Sequence, residues 1–225
     1  MTAMLDRGVL PVDRGEARSG TPDPVVYIVD DDPELCESVS WLLASIGLES
    51  VVLPGADTFL AAYDGGHPAC LVLDVRMPRM SGMQLQEELN AGMPYVAIVF
   101  VSAHGTIPMS VQTMRLGAVD FLEKPYQPQL LLDVVQEALR TAVDRYLDHH
   151  CQAEVQEKVD GLTPREREIL RLVVEGLPSQ NIARRLGMSV KTVDVHRARI
   201  KSKTESDSIS TLVRDVLRFG ATIRD

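Results

Sequence analysis

Apolar runs of strand length recur at 25–29, 49–53, 69–73, 95–101 and 118–122, and helically spaced apolar positions fill the gaps between them. Pro33, at an N1-like position, opens a helix through Leu35, Val39, Leu42, Leu43 and Ile46 that stops at Gly47. Segments 58–63, 82–89 and 108–116 supply the next three helices, and Gly117 ends the last of them as a C′ glycine. Five β–α units with strands this apolar predict a parallel sheet covered on both faces. Beyond Pro125 and Pro128 a long helical pattern runs through Leu131, Val134, Val135, Ala138, Leu139, Ala142, Val143, Tyr146 and Leu147. Its first half is expected to pack on the sheet as the fifth helix. The remainder, 144–160, contains neither Gly nor Pro and reads as a helical connector rather than a flexible linker.

From Gly161 the period is helical throughout. Thr163 with Glu166 fits a capping box with Pro164 at N1, Ile169, Leu170, Leu172 and Val173 give an inner face, and Gly176 stops the helix. Ser179 is read as the cap of a short helix over 181–186 ended by Gly187. Ser189 then caps a third helix from Val190 to about Thr204, and Ile209, Leu212, Val213, Val216 and Leu217 mark a fourth. A helix, a tight glycine turn and a Ser-capped second helix form a helix-turn-helix pattern. The expected architecture is a doubly wound (βα)5 parallel sheet over 25–143, the connector 144–160 and an all-α domain over 161–225. Residues 1–24, rich in Gly, Pro, Asp, Arg and Ser, read as a disordered extension in which Met4 offers an alternative start.

Composition adds an asymmetry. The net charge of −9 divides into an acidic segment to residue 160 and a basic one from residue 161 on. An acidic part joined to a basic part suggests two tasks, the basic one directed at nucleic acid. Cys36, Cys70 and Cys151 are odd in number and set in apolar or helical contexts, so reduced thiols are expected. No apolar stretch reaches the ~18 residues of a membrane span, which leads us to expect a cytoplasmic protein.

The chemistry sits at the ends of the apolar runs. Asp30, Asp31 and Asp32 follow the first, Asp74 ends the third, Ser102 follows the fourth and Lys124 follows the fifth. In an open parallel sheet the carboxyl ends of the strands share one crevice. Carboxylates from Asp30, Asp31 and Asp74 meeting there repel one another unless a cation lies between them, and hard oxygen donors with room for water suit Mg²⁺. Asp74 is the phosphoryl acceptor in this reading, Ser102 a donor to a phosphoryl oxygen and Lys124 a neutralising charge. On the third helix of the second domain, steps of about 100° put Val193, His196, Arg197 and Ile200 on one face. Lys191, Val195, Ala198, Arg199 and Ser202 take the other, where small side chains permit close approach to base edges and cations meet phosphates. Arg184, Arg185, Lys201 and Lys203 are further phosphate candidates.

Residues 25 to about 140 resemble a response-regulator receiver domain, and 104–125, ending Phe121-Leu122-Glu123-Lys124-Pro125, are similar to the FixJ type. The resemblance implies that Asp74 is phosphorylated and that Asp31, Asp74 and the Arg76 main-chain carbonyl hold Mg²⁺, with Asp30 acting through water. It also implies that Phe121 is an aromatic switch coupled to Ser102, on a face near His104, Pro108, Met109 and Val111. Asp32 is taken as a solvated loop acid. Residues 162 to about 219 resemble a LuxR-type (NarL/FixJ) effector, carried by Leu162 to Glu168, Ile182 to Gly187, Ser189 and Lys191 to Arg199. That match adds Thr192 to the DNA-facing set. Asn181, Thr204 and Asp207 depart from the pattern; they remove a salt bridge between the first two helices and a packing leucine. The partners implied are a sensor histidine kinase, promoter DNA and RNA polymerase, with a homodimer on phosphorylation and no membrane. The main alternative is a receiver whose output domain binds protein instead of DNA. A phosphatase using Asp74 as covalent nucleophile is disfavoured, because Arg76 occupies the position where a general acid is needed; the protein is expected not to be an enzyme.

Overall fold

The structure, a computed structural model, describes residues 21–103 and 105–224. Most of the expected N-terminal extension, including Met4, lies outside the described residues, as does His104; residues 21–24 carry no regular structure. The chain divides into two units, Met1–Leu147 and Asp148–Asp225.

In the first unit, β1 (Val25–Val29), β2 (Ser50–Leu53), β3 (Ala69–Leu73), β4 (Ala97–Ser102) and β5 (Asp120–Glu123) form one sheet in the order β2-β1-β3-β4-β5. All four pairings are parallel. The helices of this unit are α1 (Pro33–Ala44), α2 (Ala56–Ala62), α3 (Gly82–Gly92), α4 (Ile107–Arg115) and the part to Leu147 of α5 (Pro128–Asp160). Alternate strand positions feed two cores. Val26, Ile28, Cys70, Val72, Val99 and Val101 pack with α1 and α5, while Tyr27, Val29, Leu71, Leu73, Ile98 and Phe100 pack with α2 and α3. Every residue of β3 and β4 is buried, as expected for central strands of a doubly covered sheet. The edge strand β2 differs: Val51 and Val52 stay exposed although they read as an apolar run.

At the end of the sheet remote from the carboxyl termini of the strands, tyrosine hydroxyls satisfy a loop backbone that would otherwise lose its partners. Tyr63 donates to the His67 carbonyl at 2.6 Å and Tyr146 to that of Gly66 at 3.0 Å. Tyr146 therefore belongs to the first core, whereas Val155 and Val159 are buried in the second. Both ends of the stretch read as a connector thus contribute to a packed core.

The second unit holds α6 (Pro164–Val174), α7 (Ser179–Leu186), α8 (Val190–Lys203) and α9 (Ile209–Phe219) around Leu162, Ile169, Leu170, Ile182, Val193, Ile200, Leu212 and Val216. The capping box at Thr163 and Glu166 is formed. Ser179 is the first residue of α7 and not its cap, because Pro178 occupies the cap position and the Ser179 hydroxyl is directed to Asp194 at 2.9 Å. Thr204, in the place of a leucine, is fully buried, and its hydroxyl donates to the Ile200 carbonyl at 2.9 Å, so packing is kept without an orphaned polar atom. Despite Asn181, α6 and α7 are tied by the Arg185–Glu175 ion pair at 3.2 Å and by Arg165 donating to the Leu186 carbonyl. The C-terminal residues are also held. Gln156 exchanges two hydrogen bonds with the Thr222 backbone, Arg171 donates to the Ile223 carbonyl and Arg167 to that of Arg224.

Glu166 is a buried charge of this unit. Burial works to raise its pKa, but hydrogen bonds from Lys203 and from the Thr163 backbone and hydroxyl outweigh it and hold the carboxyl below its ordinary value. A carboxylate depressed on folding contributes stability that is present above its unfolded value, about 4.3, and lost as pH falls through its folded value. The second unit is therefore expected to lose stability on acidification below that point, and Glu166→Gln to flatten this part of the profile. Urea unfolding of both proteins followed by circular dichroism from neutral to acid pH checks it; parallel profiles would contradict it.

Candidate functional site

Strand ends bring the acidic residues together. The Asp74 backbone N–H donates to the Val29 carbonyl at 2.9 Å, placing the end of β3 beside the loop that carries Asp30 to Asp32. The Lys124 backbone N–H donates to the Ser102 carbonyl at 2.9 Å and so joins the ends of β4 and β5. Asp30, Asp74 and Ser102 are buried and Lys124 half-buried, while Asp31 and Arg76 are exposed. The Lys124 ammonium spans both buried carboxylates, at 2.7 Å from Asp30 Oδ2 and 3.1 Å from Asp74 Oδ1. The other oxygens are also engaged: Asp30 Oδ1 accepts from the Asp32 N–H at 2.9 Å, and Asp74 Oδ2 from the Arg76 N–H.

These contacts set the electrostatics. Burial raises the Asp30 pKa, opposed by the hydrogen bonds from Lys124 and the Asp32 backbone. Burial also works to lower that of Lys124, yet the hydrogen bonds to Asp30 and Asp74 dominate and hold the ammonium protonated. A pocket with two buried carboxylates and one ammonium keeps an excess of negative charge, which a second cation would relieve. The donors suit a hard ion: carboxylate and carbonyl oxygens supply them, and the nearby thiol is no competitor. Burial pushes Cys36 up to about 11, so no thiolate forms at neutral pH. Among the described residues no three His, Cys, Asp or Glu side chains are gathered so that they could hold a metal ion; the carboxylates that meet here are the two of Asp30 and Asp74.

Asp32 is not the bare solvated loop acid expected from sequence. It is the N-cap of α1, its carboxylate accepting from the Glu34 and Leu35 N–H groups at 3.1 and 3.3 Å. Phe121 is partly buried against Phe100, with ring centroids 6.1 Å apart. It also faces Gly105, where a Cβ would come within 2.6 Å of its ring.

Two sets of positioning residues had no reading from sequence. A Cβ at Gly82 would lie 2.2 Å from the Asp74 carbonyl oxygen and 3.1 Å from the Phe100 ring, so glycine lets α3 start directly against the Asp74 backbone. Gly82→Ala is expected to destabilise the first unit by roughly 1–3 kcal/mol or more through overpacking against backbone that cannot yield freely. Because the displaced atoms belong to Asp74, phosphoryl uptake should fall with it. Urea unfolding alongside uptake from a small phosphodonor tests both. The second set holds the C-terminal carbonyls of α4. Gln86 and Asn90 of α3 donate to Thr113 and Leu116 at 2.9 and 2.8 Å, and Arg145 of α5 to Gly117 at 3.2 Å. Gln86 lies among the buried α3 positions Leu85 and Leu89, the one sequence signal of its role.

In the second unit Gly187, at φ 63°, turns α7 into α8, and Ser189 caps α8 by accepting from the Thr192 N–H at 3.1 Å. Val193 and Ile200 are buried and His196 and Arg197 half-buried, whereas Lys191, Thr192, Val195, Ala198, Arg199, Lys201 and Ser202 are exposed, as is Arg184 on α7. The helical arithmetic thus separates core from solvent face correctly. The Thr192 hydroxyl lies 2.8 Å from that of Ser189 and takes part in the cap, while Arg197 donates to Ser179 at 3.4 Å. Lys203 is engaged with Glu166 at 2.8 Å and Arg185 with Glu175, which sets them apart from the open cations of α8. No helix among the described residues is long and apolar enough to cross a membrane.

Comparison with known proteins matches both units. Residues 26–136 fit the response regulator receiver domain and residues 160–216 the luxR family of bacterial regulatory proteins. The chain is 38% identical to the transcriptional regulatory protein FixJ of Azorhizobium caulinodans over 89% of its length and 95% of that protein. To the transcriptional regulatory protein TdiR of Thauera aromatica it is 43% identical over 89% of its length and 88% of that protein. The solved structure of the response regulator StyR is similar at 40% identity with a TM-score of 0.72, covering 88% of this chain and 100% of that one. With a receiver that holds the acidic crevice followed in sequence by a helix-turn-helix of the luxR type, the chain belongs to the NarL/FixJ family of response regulators, phosphorylation-controlled regulators of transcription.

Proposed function

We propose that a sensor histidine kinase transfers a phosphoryl group to Asp74, and that this charge change governs binding of α8 to promoter DNA in the cytoplasm. The observation that carries the proposal is the Lys124 ammonium bridging Asp30 and Asp74 at 2.7 and 3.1 Å within a buried, net-acidic crevice. The Asp74 carboxylate is the nucleophile, and Lys124 faces the oxygens that gain charge. Asp31, Asp74 and the Arg76 main-chain carbonyl would hold Mg²⁺, with Asp30 acting through water. The bound ion would supply charge neutralisation for in-line phosphoryl transfer.

An aspartyl phosphate brings about −1.5 to −2 charge and new acceptor oxygens to the end of β3. The Ser102 hydroxyl is the donor expected to answer it, and its movement would alter the space beside Phe121, which packs between Phe100 and Gly105. This links the crevice to α4, on the face through which phosphorylated protomers would pair. Arg76, and not an acid, lies two positions after Asp74, which favours a held phosphoryl group over catalytic turnover.

The exposed face of α8, with Arg184 of α7, is the proposed DNA-reading surface: Val195, Ala198 and Ser202 close to the base edges, and Lys191, Thr192, Arg199, Lys201 and Arg184 toward the phosphate backbone. RNA polymerase is the proposed partner at the promoter. The test is selection of binding sites from random DNA by the protein charged with a small phosphodonor and Mg²⁺. Enrichment of sites with half-sites about one helical turn apart is the expected result. An output domain that binds protein instead would enrich no sequence and show no salt-dependent DNA binding in either state.

A further inference from the structure

Asp32 joins two devices that are usually separate. Its carboxylate caps α1 through the Glu34 and Leu35 N–H groups, and its carbonyl accepts the Cys36 N–H at 3.1 Å, the first bond of the helix. Its own N–H points the opposite way and donates to Asp30 Oδ1 at 2.9 Å. With Lys124 on Oδ2, this N–H fixes the plane of the Asp30 carboxylate. The carbonyl of Asp30 is in turn approached by the Cys36 thiol at 3.6 Å. Asp31 is therefore bracketed by two residues whose backbones are both tied to the first turn of α1.

We propose that Asp32 is a positioning residue for the cation site, acting through the α1 cap and its backbone N–H and not through its charge. The proposal rests on the reading of Asp30, Asp31 and Asp74 as that site. Without the cap the turn 30–32 keeps only its ties to Cys36 and Lys124, so the N–H of residue 32 and the direction of Asp31 toward the crevice are held less firmly. Groups that orient metal ligands without touching the metal typically change affinity by about 10- to 100-fold. The position is only a helix cap and an exposed one, so the effect expected here is at the lower end, about 10-fold.

Charge and cap are separable by substitution. Asparagine caps as well as aspartate but carries no charge; glutamate keeps the charge but is not among the residues that cap well. Titration of the full-length, unphosphorylated protein with MgCl₂ by isothermal calorimetry is the experiment, with thermal unfolding of each variant as control. Asp32→Asn is expected to bind Mg²⁺ within about twofold of the parent, because the cap persists. Asp32→Glu and Asp32→Ala are expected to bind about 10-fold more weakly. Equal weakening by Asn and Ala, with Glu like the parent, would show that Asp32 acts by charge and overturn the proposal. Unchanged binding in all three would overturn it as well. No saturable binding by the parent protein would sink the cation site itself, a different failure from either.

Discussion

Asp74→Asn is expected to take up no phosphoryl group from a small phosphodonor in Mg²⁺, under conditions in which the parent protein is charged to a stable intact-mass increment. The amide lacks the nucleophilic oxygen, so the loss is of the reaction itself and not of affinity. It also leaves Lys124 facing one carboxylate where it had two, at Asp30 Oδ2. The fold should survive, because the isosteric amide keeps one oxygen to accept either the Arg76 N–H or the Lys124 ammonium, and Lys124 retains Asp30. Far-UV dichroism of the variant should therefore match that of the parent. Uptake at the parent rate would place the acceptor elsewhere and remove the basis for the switch. In DNA binding the variant should resemble uncharged protein whether or not phosphodonor is present.

The second large effect belongs to α8. Replacing Lys191 and Arg199 together by alanine is expected to weaken DNA binding by roughly thirtyfold near physiological salt, since each cation that no longer meets a phosphate forfeits about 1 kcal/mol of counterion release. Both side chains are exposed on the face opposite Val193 and Ile200, so the helix should keep its packing and the variant its melting behaviour. The slope of log K against log salt should also shrink, by about 0.9 for each phosphate no longer neutralised. Fluorescence anisotropy on a selected site at several salt concentrations reads both quantities. Specific affinity unchanged by the double substitution would exclude α8 as the reading element.

Why some of this is legible in sequence and some is not follows from how each residue does its work. Asp30, Asp74, Ser102 and Lys124 each close an apolar run, and a parallel sheet converts that position into proximity whatever the details of packing. The inner and outer faces of α8 are equally readable, since periodicity alone separates Val193 and Ile200 from Lys191 and Arg199. Asp32 misleads because a cap and a solvated acid have the same sequence signature; they differ only in whether the carboxylate reaches the N–H groups of the following turn. Val51 and Val52 read as buried because their exposure is set by β2 lying at the sheet edge, a property of strand order that no local pattern carries. Gly82 and the Gln86, Asn90 and Arg145 donors are hidden for a related reason: each acts on backbone atoms of another element, and main-chain partners leave no mark on residue identity.

The held C-terminus has a practical consequence. Ala221 and Ile223 pack against the second core, and three side chains from α5 and α6 grip the backbone between 222 and 224. An exopeptidase nibbling a few residues from this end would not trim a fringe. It would withdraw Ile223 from its apolar surroundings and take one backbone acceptor each from Gln156, Arg167 and Arg171. Preparations cut within 222–224 to different extents should therefore melt as mixtures.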